Sequence, residues 1–254
     1  MSIRVLVRRW QGAALSLVGI VATLWLGLTG QLALYIHPRY FVFTVVMAVI
    51  AVVLVLAAFA LGPAAPDGHG HDHAEAGTGR WRWLWPAGSI LTIAAAVVGL
   101  LVLPPSTLTT ATVSQRGLNG SASALTQSEA GKLAGGDYSA FTVRDWASLL
   151  RTGAGQDFFA GKTATVTGFV TPDKNDPANV FFVARFVVTC CAVDAQPIGV
   201  PVYHPGWQNE YKTDSWVTAT SAFHPNPDAT SREPIVLIPD VITPTAQPAQ
   251  PYVY

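Results

Sequence analysis

The chain has two cysteines, Cys190 and Cys191, and they are adjacent. Adjacent thiols have three uses: closure as a vicinal disulfide, capture of a soft metal ion as thiolates, or burial as an inert reduced pair. They follow Arg185-Phe-Val-Val-Thr189, a strand-like run, and neighbouring side chains on a strand point to opposite faces. Both sulfurs therefore meet one ion only if the backbone turns there, and Ala192-Val193-Asp194 with Gln196-Pro197 supplies such a turn. Thiols outside the cytoplasm tend to be bonded or metal-bound. His204 and His224 each precede a proline. If the second and third strands form a hairpin, His204 sits about 15–20 Å from Cys190, at the far end of the third strand. His224 ends the fourth strand and returns toward the cysteines. Cys190, Cys191, His224 and Asp194 are thus the candidate metal or ligand cluster, and His204 is read as a turn residue. Their spacing matches no strong zinc motif.

A second group of ligand-type residues is His69, His71 and His73, beside Asp67, Asp72 and Glu75 in a Gly/Ala/Pro-rich loop. Neutral imidazoles alternating with carboxylates suit a borderline cation such as Zn2+, in an adaptable loop site; the bland reading is a polar loop with chance histidines. His37-Pro38-Arg39-Tyr40 offers His37 and Arg39 for contact with a headgroup or a partner helix. No nucleophile elbow, phosphate-binding loop, dinucleotide fingerprint or zinc-protease motif is present. Gly161-Lys162-Thr163 resembles the end of a phosphate loop but has Gln156 where that loop needs glycine. The chain is therefore not expected to be an enzyme.

These residues are positioned by a chain of two halves. Before Pro104 lie three apolar runs, 12–36, 41–61 and 84–103, none with Asp, Glu, Lys or Arg except at its flanks. A helix needs about 20 residues to cross the bilayer core. Charged residues are 12% of the chain, about half the usual soluble fraction. Net charge is zero, so no nucleic-acid partner is implied. The first run is too long for a signal peptide and lacks a cleavage pattern, so it is read as retained. Arg4, Arg8, Arg9, Arg80 and Arg82 fall on one side of three crossings and Arg39 and Arg116 on the other. That distribution places the N-terminus in the cytoplasm and the soluble part outside, in a multi-pass protein of the bacterial cell membrane. Trp81, Trp83 and Trp85 suit an interfacial belt, and Gly19, Gly27 and Gly30 could let helix one pack closely.

Residues 104–140 read as a Ser/Thr/Gly-rich linker, 141–242 as a β-rich domain and 243–254 as a proline-rich extended tail. Thr142 with Asp145 resembles a helix cap, followed by Val143, Trp146, Leu149 and Leu150 at helical spacing. Five strand-like runs follow: Lys162–Val170, Val180–Thr189, Ile198–Tyr203, Ser215–Phe223 and Pro234–Ile242, separated by Pro, Gly, Asn and Asp clusters. Five short strands suit a small OB-like barrel; a small β-sandwich is the alternative.

Several segments together resemble one family: Tyr35-Ile-His-Pro-Arg39, Gly161-Lys162, Thr167-Gly-Phe-Val170, Arg185-Phe-Val-Val-Thr-Cys-Cys-Ala192 with Asp194, and Trp216-Val217 with Thr220. The chain is similar to the YcgQ-like bacterial permease subunits, which join N-terminal membrane helices to a C-terminal domain of unknown function. The resemblance implies a larger multi-helix permease as partner and suggests a link to divalent-metal, especially zinc, handling. It transfers no residue role. The expectation is an accessory subunit of an inner-membrane permease, with an exoplasmic β-domain that binds a ligand or partner; an envelope thiol-redox or sensor protein using the vicinal cysteines and a purely structural membrane assembly protein are the alternatives.

Overall fold

A computed structural model describes residues 3–61, 84–103, 105–120, 137–153 and 155–254. The chain divides into two compact units, Met1–Ala33 with Pro38–Ser106, and Leu34–His37 with Thr107–Tyr254.

The first unit is helical. Helix α1 spans Ile3–Leu28, α2 spans Phe41–Leu61, and α3 spans Leu84–Val97 and continues as a π-helix over Val98–Val102. Valine is the commonest residue of α2, although β-branched residues are mediocre helix formers in water. Without water the backbone must satisfy its own hydrogen bonds, and a helix does so. Among the described residues, two segments are long and apolar enough to cross a membrane: Trp10–Leu28 and Pro38–Ala58, with 6% of each buried inside the protein. The core helix of a soluble domain would be mostly buried. The third apolar segment, Ala87–Val102 among the described residues, is shorter. The first run also ends sooner than expected. Gly30 adopts φ +75°, which stops the helix, and a 3-10 turn follows at Gln31–Leu34. Of the three glycines expected to allow close packing, Gly27 does so: a Cβ there would lie 3.3 Å from Val45. Gly19 faces open space. The Ser89 hydroxyl and the Gln11 side chain, 2.9 Å apart, tie α3 to α1.

The second unit is a closed five-stranded barrel. Its strands are β1 (Thr163–Pro172), β2 (Val180–Val187), β3 (Gln196–Tyr203), β4 (Trp216–Pro225) and β5 (Ile235–Leu237). Their order is β1-β2-β3-β5-β4, and β4 pairs back onto β1. All pairings in the ring are antiparallel except β3–β5. Closure by β4 on β1 distinguishes the barrel from two stacked sheets. The fifth expected run splits. Pro239 lacks the N–H a ladder needs, so β5 ends at Leu237 and β6 (Ile242–Pro244) restarts against β4.

Alternation along the strands divides the residues between two cores. Ala164, Val166, Val170, Phe181, Val183, Ile198, Val200, Val217, Ala219 and Phe223 fill the interior. Helix α5 (Val143–Arg151) adds Trp146 and Leu149 to it. That helix starts at the expected cap, with Thr142 and Asp145 bonding reciprocally. Trp146 is fully buried, its ring 4.9 Å from that of Phe223.

Phe169, Phe182, Ala184, Phe186 and Val188, on the opposite face, form a second core with Val113 and Tyr252. Parts of the linker and of the tail supply this cover. Within 104–140, Thr110–Arg116 is a helix, α4, whose Val113 is buried. The Thr110 N–H donates to the Asp214 carboxylate at 2.7 Å, and Arg116 donates to the Ala195 carbonyl. The Asn119 amide clamps both backbone groups of Gly199, at 2.8 and 2.9 Å. That occupies an edge of β3 that would otherwise invite another chain. Within 243–254, Tyr252–Val253 forms β7, parallel to β2. Apolar side chains at Val113 and Tyr252 find cover on the barrel, so part of each segment packs with it.

β1 serves two neighbours. Thr163–Phe169 pair with β4 and Phe169–Pro172 with β2. Gly168 lies at the crossing, and a Cβ there would sit 2.4 Å from the Ala184 carbonyl oxygen. Backbone on both sides cannot yield, so Gly168→Ala should cost about 3 kcal/mol, read as a lowered denaturation midpoint with an unchanged α2 signature.

Candidate functional site

β2 ends at Val187, and the chain turns through 188–194 before β3 begins at Gln196. Asp194 organises this turn. Its carboxylate accepts N–H bonds from Cys190 at 2.7 Å and from Thr189 and Cys191 at 3.3 Å. A carboxylate meeting several consecutive N–H groups is a strong, charge-assisted cap. Asp194, proposed from sequence as a ligand, is thus engaged in shaping the turn that presents the cysteines.

Cys190 is exposed, Cys191 is half-buried, and both are thiols. Against them lies a peptide from far away in the sequence. Ile36 pairs antiparallel with Cys191. The His37 N–H donates to the Cys190 carbonyl at 3.0 Å, and the Ala192 N–H donates to the Tyr35 carbonyl at 2.8 Å. Leu34–His37 belongs to the barrel unit, although it connects α1 to the helix beginning at Phe41. The tail supports this strap: the His37 ring meets Tyr254 edge-on at 4.7 Å. Burial raises the Tyr254 phenol, with a smaller push from Tyr252 and an opposing pull from Arg185. Burial also raises the Tyr252 phenol, and Tyr35 adds to it.

The expected cluster is therefore only partly assembled. Cys190, Cys191 and Asp194 share one turn. His224 lies on β4, paired with Val236 of β5. It lines an open groove of about 760 Å³ with Thr218, Thr220, Ser221, Asp240 and Val241. Among the described residues no three His, Cys, Asp or Glu side chains are grouped to hold a metal ion. His204 follows β3, with its Nε2 3.1 Å from Glu210. Arg39 stacks on Tyr40 at 5.1 Å; His37, grouped with it in the sequence, is part of the strap. His69, His71 and His73 lie outside the described residues. The strap residues Tyr35 and Ile36 were not recognisable as site residues. Their only signal was the Tyr35–Arg39 motif, since backbone pairing across such a separation leaves no local pattern.

On the loop between β4 and β5 sits an acid whose carboxyl is pushed up. Burial, and then the Asp173 charge, raise Glu233 to about 7. Asp173 is buried and accepts N–H bonds from Asn175 and Asp176, each at 2.8 Å.

The fold and site define a closed β-barrel, one of whose turns holds the peptide between two membrane-length helices. The chain belongs to the DUF1980 family: residues 14–119 match the DUF1980 N-terminal domain and residues 141–254 the DUF1980 C-terminal domain. No curated protein and no solved structure matches it.

Two outcomes follow from the geometry. Asp194→Ala leaves three N–H groups without their acceptor and should cost about 1–3 kcal/mol, seen in thermal unfolding together with faster alkylation of Cys191. Glu233 has a folded pKa above its unfolded value, so its contribution is full below about 4.5 and is lost as pH rises through about 7. Glu233→Gln should match the parent protein in unfolding midpoint at pH 4 and exceed it at pH 8.

Proposed function

We propose that this protein is a non-enzymatic accessory subunit of a bacterial inner-membrane permease, with the OB-type barrel on the outer side as its coupling and binding element. The observation that carries this reading is the strap. Leu34–His37 follows the first membrane-length helix and precedes the second, yet it is built into the barrel unit. Whatever tilts or separates those helices acts directly on the barrel's cysteine turn, which is what a coupling subunit requires.

Three further points support it. The first span, Trp10–Leu28, holds no charged residue, and the second, Pro38–Ala58, holds Arg39 alone, at its entrance. Transport pathways usually carry intramembrane ionisable groups, so these helices suit anchoring and docking better than conduction. Most of their surface is unburied and apolar, ready for lipid or a partner's helices. With a third crossing over 84–103, the arginine distribution puts the chain beyond it on the outer side.

The strand order and the parallel β3–β5 pairing support the OB type. Oligonucleotide-binding barrels use the face of β2 and β3. Here Val113, Leu118 and Tyr252 cover that region, which argues against nucleic acid. The zinc link rests on the resemblance and on the His69, His71 and His73 loop, so the barrel's share of the work is coupling rather than coordination.

A periplasmic reporter fused after Tyr254 should be active and a cytoplasmic one silent. Gentle affinity purification should recover a multi-helix membrane protein in fixed ratio. Recovery of this chain alone, with the reporters reversed, would sink the reading.

A further inference from the structure

We infer that Cys190–Cys191 is a thiol–disulfide exchange site whose oxidation releases the Leu34–His37 strap. The two cysteines share one peptide group, and both of its polar atoms are engaged. The Cys190 carbonyl accepts the His37 N–H at 3.0 Å, and the Cys191 N–H donates to Asp194 at 3.3 Å. The next N–H along, that of Ala192, holds the Tyr35 carbonyl at 2.8 Å. A disulfide between adjacent residues closes an eight-membered ring, which fixes the torsions on both sides of the shared peptide and needs the Cβ atoms about 3.5–4.5 Å apart. Linking Cys190 to Cys191 therefore turns the peptide between them out of the extended pairing that Cys191 makes with Ile36. That peptide carries the carbonyl on which the strap hangs. The dithiol form and the docked strap favour each other, and each opposes the disulfide.

The reaction partner is a disulfide, either in a small molecule or in an oxidoreductase. The Cys190 sulfur, the exposed one, attacks as thiolate and forms a mixed disulfide, releasing one partner thiol. The Cys191 thiolate then attacks the Cys190 sulfur and releases the second. The protein dithiol is oxidised, the partner disulfide is reduced to two thiols, and the two protons leave with it. The outward orientation proposed above supplies the oxidising compartment; the geometry and the test do not depend on it.

The test uses the full chain in detergent and glutathione disulfide as the oxidant. Under dithiothreitol, mass spectrometry should find two alkylatable thiols, and the His37 and Ala192 amides should exchange slowly. After glutathione disulfide, no thiol should remain, no glutathione should be attached, and two equivalents of glutathione should be released per chain. Exchange at those two amides should rise at least about tenfold, as loss of their hydrogen bonds requires. Amides of β1 should not change. Cys190→Ser and Cys191→Ser should each trap one glutathione and keep the strap protected. Coupling is reciprocal. His37→Pro, which removes the N–H bonded to Cys190, should lower the glutathione disulfide needed for half-oxidation by a similar factor. An internal disulfide with unchanged strap exchange overturns the proposal. So do stable glutathione adducts on both cysteines, or a strap that already exchanges freely in the reduced protein.

Discussion

The barrel depends on one strand having two neighbours. β1 gives its first part to β4 and its last residues to β2, overlapping at Phe169. This coils the strand sharply, and the sheet closes because Gly168 leaves room for the Ala184 carbonyl. Closure removes the free edges a five-stranded sheet would have and gives Trp146, Phe159 and Phe223 a common interior. It also sets the height at which β2 leaves the barrel, and hence where the cysteine turn projects. Threonine pairs steady the same seam from outside: Thr165 with Thr220 at 3.0 Å and Thr167 with Thr218 at 2.8 Å.

The two family domains do not coincide with the two physical units. The N-terminal match runs to residue 119, and its last residues, from Thr107, pack with the barrel. Val113 and Leu118 lie against the sheet that carries Phe169, Phe182 and Phe186. A fragment beginning at 141 would leave these aromatic rings uncovered, an apolar patch of the kind that drives association. The stretch that separates the domains in sequence is thus shorter than the change in composition suggests.

Much of the architecture was legible because its causes are local. The Thr142–Asp145 cap, the four longer strands and the turns between them follow from side-chain types at fixed spacing. The uniform apolarity of Phe41–Leu61 announces a helix for a non-aqueous setting. What escaped depends on distant partners. The Ser/Thr-rich composition around Thr110–Arg116 suggests solvent exposure, and only the barrel's outer aromatics explain why Val113 is buried. Pro239 was visible inside the fifth run, but its power to split that run depends on which neighbour would have needed its N–H. The candidate site depends on distant partners too. Asp194 lies in the cysteine turn, and backbone amides engage its oxygens. His224 was drawn toward them by strand counting, and the barrel's curvature kept it on β4, beside the groove.

The strap also fixes an order of events. Residues 34–37 leave the ribosome long before Cys190–Ala192 exist, and contacts so distant in sequence are slow to form. During synthesis the first two helices are complete while the peptide joining them still lacks its partners. Only when β2, the turn and Tyr254 have been made can that peptide settle. Maturation therefore finishes at the cysteines, and a chain stalled before residue 190 would carry its membrane helices with the joint between them still open.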